Sequence, residues 1–261
     1  IESPLKAYLL LGVEPELDMY NPRQAMAALQ QAELVVALSP FQHRATEYAH
    51  VLLPIAPFTE TAGTFISTEG RVQTFAGVVQ PLGETRPAWK VLRVLGNLLG
   101  IAGFEHDGAD DAQREALHGK TEILNKNNDL QYTRGALPAA GSGIARIAEV
   151  PIYAADALAR RAPGLQKTRD GQAPVALMNR ALADQLGLRD GDFVRVVQDG
   201  GEVTLPYAID DNLPAGCVRL AAACPETAAL GAASADPLEG AEHDIVGVGR
   251  RVGEVHSQTH L

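Results

Sequence analysis

At 261 residues, 46% of them hydrophobic, the chain has enough apolar material to fill about two cores of roughly 100–200 residues each. Its formal charge of -10 argues against a sequence-independent hold on phosphate backbones, which needs clustered Lys and Arg, so nucleic acid is not an expected partner. The longest apolar run, AYLLLGV, has the length of a strand and falls far short of the roughly 18–20 residues of a membrane span.

The opening IESPLKAYLLLG has a single lysine, an apolar run too short for a signal sequence and no initiator Met, and reads as polypeptide cut from something longer. Only Cys217 and Cys224 are present, which leaves neither a disulfide framework nor four thiolates for an iron–sulfur cluster. Free, partly buried thiols and a reducing compartment are the expectation.

In chain order, Leu5–Gly12 reads as a buried strand, and NPRQAMAALQQA as a helix with Asn21 as N-cap and Pro22 at its first position. Leu34–Leu38 and His50–Pro54 are two further short apolar strands, and their alternation with helices predicts βαβ units and a parallel sheet. The stretch TETAGTFISTEGRVQTF, Thr59–Phe75, predicts extended chain with turns. RPAWKVLRVLGNLLG then predicts a helix with Pro87 at its start, Trp89, Leu92, Leu95 and Leu99 on one face, and Gly100 at its end.

Residues 1–103 thus form a partial doubly wound α/β domain, and 104–167, broken by HDGADD, NKNND and RRAPG, a connector with short helices. Residues 168–261 carry a different pattern. APVALMN is a strand, NRALADQLG a short helix capped by Asn179 and ended by Gly187, and FVRVVQDGGEVTLPYAI a hairpin turning at Asp199-Gly200. AGCVRLAA adds a strand, and the set predicts a closed β-barrel domain.

Candidate sites are few. His256 and His260 have i, i+4 spacing but no third ligand, and are expected in an unstructured tail; His43 and His50 are expected to pack or face solvent. GVGRRVG, Gly247–Gly253, lacks the strand and helix that would frame a dinucleotide fingerprint. No GxSxG, Walker A, HExxH or CxxC motif is present. In the Thr59–Phe75 stretch, Glu60, Glu69 and Arg71 are expected to form a structural polar network, with Gly63 and Gly70 at turns that side chains would block.

YLLLGVEPE, LVVALSPFQHRATEYAHVLLP and FTETAGTFISTEGRVQ, in that order, resemble the molybdopterin oxidoreductase superfamily. There, a strand ending in Gly-x-x-Pro precedes an ATEYAHVLLP-type segment and an E-x-x-GT-F-x-x-x-EGR signature. Pro174 to about Pro237 is similar to the dinucleotide-binding barrel that ends those proteins, which implies a double-psi-like barrel. PIYAADALARRAPGLQKT, Pro151–Thr168, resembles what the large iron–sulfur subunit of bacterial NADH-quinone oxidoreductase, respiratory complex I, carries before its barrel.

That closer resemblance implies a structural, non-catalytic part of a peripheral-arm subunit that supports electron transfer from NADH to quinone. It implies no cofactor and no metal in these residues, with iron–sulfur clusters in an N-terminal region outside them. Glu60, Gly63, Glu69, Gly70 and Arg71 would then be vestiges of a pterin site. Two departures agree: Ser67 stands where the enzymes usually have Asn, and ETAALGAASADPLEG lacks the Asn that commonly precedes Asp-Pro. No basic residue follows Asp236-Pro237 until Arg250. The implied partners are other peripheral-arm subunits, with contact to the membrane only through the complex, on the cytoplasmic face. The alternative is the C-terminal part of an active molybdopterin-dependent oxidoreductase such as formate dehydrogenase. A third is an unrelated module that binds a small ligand.

Overall fold

The computed structural model describes residues 3–118, 143–198 and 200–232, and the backbone of 248–249. His256, His260, Asp199, Asp236-Pro237, Arg250 and most of Gly247–Gly253 lie outside the described residues. In chain order the elements are β1 (Ala7–Leu11), α1 (Pro15–Asp18), α2 (Pro22–Gln30), β2 (Leu34–Ser39), β3 (Val51–Pro54), β4 (Gly63–Ile66), β5 (Val72–Phe75), α3 (Ala88–Leu98) and α4 (Ala109–Leu117). They continue with β6 (Ala145–Ile147), α5 (Ala157–Arg160), α6 (Pro163–Gln166), β7 (Ala176–Met178), α7 (Arg180–Gln185), β8 (Phe193–Gln198), β9 (Gly201–Ile209), β10 (Cys217–Arg219) and β11 (Val248–Gly249). The architecture is mixed α/β. Among the described residues no helix is long and apolar enough to cross a membrane.

The chain divides into two compact units. The first, Lys6–Val13 with Ala32–Gly135, holds the expected parallel sheet in the order β1-β2-β3. Leu9 pairs with Val36 and Val36 with Val51. Val35, Ala37 and Leu38 of the central strand are buried, as a β-branched and aliphatic run between two neighbours should be. Next come the antiparallel hairpin β4–β5 and the helix α3, which Pro87 opens and which Gly100, with φ of 67°, ends in the left-handed region.

The expected apolar face of α3 is only partly covered. Leu92 and Leu95 are half-buried, whereas Leu99 is exposed. Phe104 instead folds back onto Gly96, where an added Cβ would lie 2.3 Å from its ring.

The second unit, Ile1–Leu5 with Glu14–Gln31 and Ala136–Leu261, holds a six-stranded mixed sheet in the order β11-β8-β9-β7-β10-β6. Its core is Ala176 and Met178 of β7, Leu182 of α7, Val194 and Val196 of β8, Val203 and Leu205 of β9, Val218 of β10, Leu220 and Leu230. On β8 and β9 buried positions alternate with more exposed ones, the period-two pattern of strands that cover a core on one side. The caps expected from sequence are present: the side chain of Asn21 accepts from Gln24 N, and that of Asn179 from Leu182 N.

Two details of this unit escape the sequence. Ala145–Ile147, inside the expected connector, is an edge strand that pairs parallel with Cys217–Arg219. Three residues are too few to show a period, so only the pairing reveals the strand. At the start of β9, Gly201 is buried so tightly that an added Cβ would lie 1.9 Å from the Ala229 carbonyl oxygen.

Candidate functional site

The Thr59–Phe75 stretch is the hairpin β4–β5 with the short turn that precedes it. Ser67 builds the hairpin's tip: its N–H donates to Arg71 O at 3.0 Å, its carbonyl accepts from Gly70 N at 2.8 Å, and its Oγ accepts from Arg71 N at 3.2 Å. Gly70 has φ of 79°, the left-handed conformation that a turn demands of glycine.

Gly63 plays a different part from the one expected. It is a strand residue, and a Cβ there would meet the Phe75 ring at 2.7 Å. That ring stacks on Phe65 at 5.0 Å between centroids.

The expected polar network of Glu60, Glu69 and Arg71 is not formed. Glu60 accepts from Leu82 N at 3.0 Å and so ties down the loop after the hairpin. Glu69 and Arg71 are exposed, and among the described residues no hydrogen bond or ion pair joins their side chains to each other or to Glu60. The hairpin places Glu69 and Arg71 at its turn, with Glu60 before its first strand, so spacing along the sequence does not bring them together. The two histidines serve as local acceptors: His50 Nδ1 accepts from Val35 N at 3.0 Å, and His43 Nδ1 accepts from Ala45 N at 3.2 Å.

Buried charge is concentrated elsewhere, in the six-stranded unit. A cavity of about 410 Å³ is lined by Glu14, Arg160, Arg161, Asp170, Cys224 and Glu226, among others. Glu14 is the residue before Pro15, which opens α1, and Arg160 is the last residue of α5. All three nitrogens of the Arg160 guanidinium donate: Nε to Ala154 O at 2.7 Å, Nη1 to Glu14 Oε2 at 3.1 Å, and Nη2 to Asp18. Asp18 also accepts from Glu14 N at 2.7 Å, which locks α1 onto its own cap. Arg161 Nη1 lies 2.6 Å from Glu14 Oε1, off the hydrogen-bonding direction, and donates to Ala157 O at 3.0 Å.

The side chains of Glu14 and Arg160 are 4% and 10% exposed, so this is an interior ion cluster rather than a surface pair. On the same cavity, Ala223 has φ of 56° and Cys224 is buried, its thiol donating to Ala222 O. Burial pushes the Cys224 thiol up to about 11, with Glu226 adding to the effect, which keeps it protonated at neutral pH. Among the described residues no group of His, Cys, Asp and Glu is arranged to hold a metal ion.

In the sequence the EPE turn and the ARRAPG segment stand out only as marks of resemblance, and that they meet is missed. The available signal was local: EPELD places acids at i and i+4, and two adjacent arginines stand among alanines and prolines, where solvated charge is not the rule.

The segments that meet at the cavity are also the segments shared with known proteins. Residues 1–98 match the molybdopterin oxidoreductase profile, and residues 153–243 match the molydopterin dinucleotide binding domain. The chain belongs to the molybdopterin oxidoreductase family. The NADH-quinone oxidoreductase G subunit of Streptomyces coelicolor is 31% identical over 216 residues, which are 79% of this chain and 25% of that protein. A putative formate dehydrogenase of Staphylococcus aureus is 36% identical over 100 residues, 38% of this chain and 10% of the relative. The chain therefore spans about a quarter or less of the curated relatives it matches. Among solved structures, acetylene hydratase from Pelobacter acetylenicus superposes with a TM-score of 0.60 at 18% identity, covering 86% of this chain and 40% of that one. That likeness is one of fold, and it fits the mixed α/β architecture of this family member.

Proposed function

We infer that this family member is a cofactor-free structural part of the large iron–sulfur subunit of an NADH-quinone oxidoreductase, a scaffold in the peripheral arm rather than a site of chemistry. The observation that carries the reading is extent. The likeness to the Streptomyces protein runs over 79% of the chain, across both matched segments, whereas the likeness to the putative formate dehydrogenase stops at 38%. In this reading residues 1–103 are the partial α/β domain, 104–167 the connector, and 168–261 the double-psi-like barrel of the family. Iron–sulfur clusters belong to polypeptide outside these residues, and the partners are other peripheral-arm subunits on the cytoplasmic side of the membrane.

The cavity supports the cofactor-free part of the reading. A pterin dinucleotide carries phosphates, and phosphates need free guanidinium or ammonium donors. Here Arg160 already donates from every nitrogen to groups of its own chain, Arg161 is paired with Glu14, and Asp170 and Glu226 add negative charge to the wall. The residues present do not fit such a group. The hairpin agrees: Glu69 and Arg71 stand at an exposed tip where Ser67 spends its hydroxyl on closing the turn.

The alternative, a part of an active molybdopterin-dependent oxidoreductase, draws on the higher identity, 36%, to the putative formate dehydrogenase over the shorter segment. Metal content separates the two. The full-length polypeptide purified from its own host is expected to contain iron in cluster amounts and neither molybdenum nor tungsten. Stoichiometric molybdenum or tungsten would replace the scaffold reading with the enzyme.

A further inference from the structure

The loop between β5 and α3 carries aliphatic side chains that stay in solvent: Val78 is 82%, Leu82 79% and Val79 59% exposed. The loop is nonetheless pinned. Val78 N donates to Thr59 O at 2.8 Å, Leu82 N to Glu60 Oε2 at 3.0 Å and Thr85 Oγ1 to Leu82 O at 2.8 Å, while the Arg86 carbonyl accepts from Ala56 N at 2.9 Å. A backbone held at four points presents its apolar side chains with little further ordering cost when something binds.

The same loop forms one wall of a groove of about 490 Å³, lined by Glu60, Val79, Pro81, Arg86, Trp89 and Lys90 among others. Arg86 donates from Nη1 to the adjacent Thr85 carbonyl, and the Lys90 ammonium lies 5.4 Å from the Trp89 ring centre. Among the described residues neither cation forms an ion pair. Glu60 has its Oε2 engaged by Leu82 N, and Glu84 is exposed on the loop outside the groove's lining. The groove is therefore locally positive on a chain whose formal charge is -10.

We propose that this loop and groove are a docking surface for an acidic, apolar segment of a partner protein, which sets aliphatic side chains on Val78, Val79 and Leu82 and carboxylates on Arg86 and Lys90. The proposal rests on the scaffold reading, in which the partners are other subunits, and adds the chemistry by which one of them is held. A small anion would use the two cations and leave the aliphatic loop bare; a purely apolar segment would leave the cations unpaired. Apolar burial supplies the hold, and the charges select the partner. Trp89 and Arg86 are of the residue types that dominate binding energy at interfaces.

The test places a photo-crosslinking residue at Val78 of the full-length protein, purified with its bound proteins from its own host, and identifies the crosslinked peptide by mass spectrometry. The expected peptide comes from a different polypeptide and carries Asp or Glu among apolar residues. Arg86→Glu/Lys90→Glu, checked for folding by circular dichroism, should lower the crosslink yield at least about tenfold, because like charges then face each other. If the double variant does not fold, Lys90→Glu alone decides, since that side chain holds no hydrogen bond among the described residues.

A crosslink to a second copy or within the same polypeptide overturns the proposal, as does a partner peptide without acids. So does the absence of any crosslink, or a yield that a folded charge-reversal variant leaves unchanged. Iron without molybdenum or tungsten, together with no crosslink, would remove the docking surface and leave the scaffold reading standing. Stoichiometric molybdenum or tungsten with a charge-sensitive crosslink to an acidic partner would remove the scaffold reading and leave the surface.

Discussion

Arg71 and Arg160 sit in the two stretches that resemble known proteins, and their circumstances are opposite. Arg71 belongs to the motif that draws the eye in the sequence, yet it is an exposed side chain at a hairpin tip. Arg160 belongs to a plain alanine-rich segment, yet it is nearly buried and saturated with three partners, Ala154, Glu14 and Asp18. A motif marks likeness along the sequence, whereas burial and pairing report what the chain needs in order to stay folded. In this protein the two have come apart.

The contrast is broken most directly by Arg160→Ala. Glu14 would be left buried with one poorly aligned partner and Asp18 with none from α5, and the expected loss is about 3–5 kcal/mol, read as an earlier urea transition of the six-stranded unit. A loss below about 1 kcal/mol would mean that the cluster is no more than a surface pair.

Cys224 tests the dryness of the same cavity. Its folded-state value of about 11 is raised above the ordinary thiol value, so the unfolded chain ionises first and stability falls as pH rises from about 9 to about 11. A rise of that size corresponds to about 2–3 kcal/mol, present below about pH 9 and lost by about pH 11, and Cys224→Ala should remove that slope from the urea-denaturation profile. Alkylation of Cys224 at about pH 8 should keep pace with unfolding.

Smaller effects belong to the hairpin. Gly70→Ala forces an L side chain to a φ of 79° and should cost about 1–2 kcal/mol, visible as a lower melting temperature. Arg71→Ala should stay within about 0.5 kcal/mol of the wild type. If Arg71→Ala instead matched Arg160→Ala, the contrast between the two regions would collapse.

What the sequence makes legible is what depends on neighbours in the chain. Asn21 and Asn179 cap their helices because the acceptor and the N–H are three residues apart, and the aliphatic run Leu34–Leu38 forms a strand that buries Val35, Ala37 and Leu38 while Leu34 stays exposed. Glu14 and Arg160 are 146 residues apart, and no local rule relates them. The hairpin marks the limit from the other side. Glu69 and Arg71 lie close in sequence and look paired, but the tight turn around Gly70 gives them no shared bond. Gly63 misleads for a related reason: its lack of a side chain serves the ring of Phe75 across the hairpin, not a turn.

The close approach at Gly201 reaches beyond its own packing. With a carbonyl 1.9 Å from where a Cβ would stand, only glycine can occupy the first position of β9. Sliding β9 by one residue along β8 would push the Glu202 side chain into the Ala229 carbonyl, so the hairpin has one permitted alignment irrespective of its turn. One small residue thus sets which side chains of both strands turn toward the core, from Gln198 opposite Gly201 to Phe193 opposite Pro206.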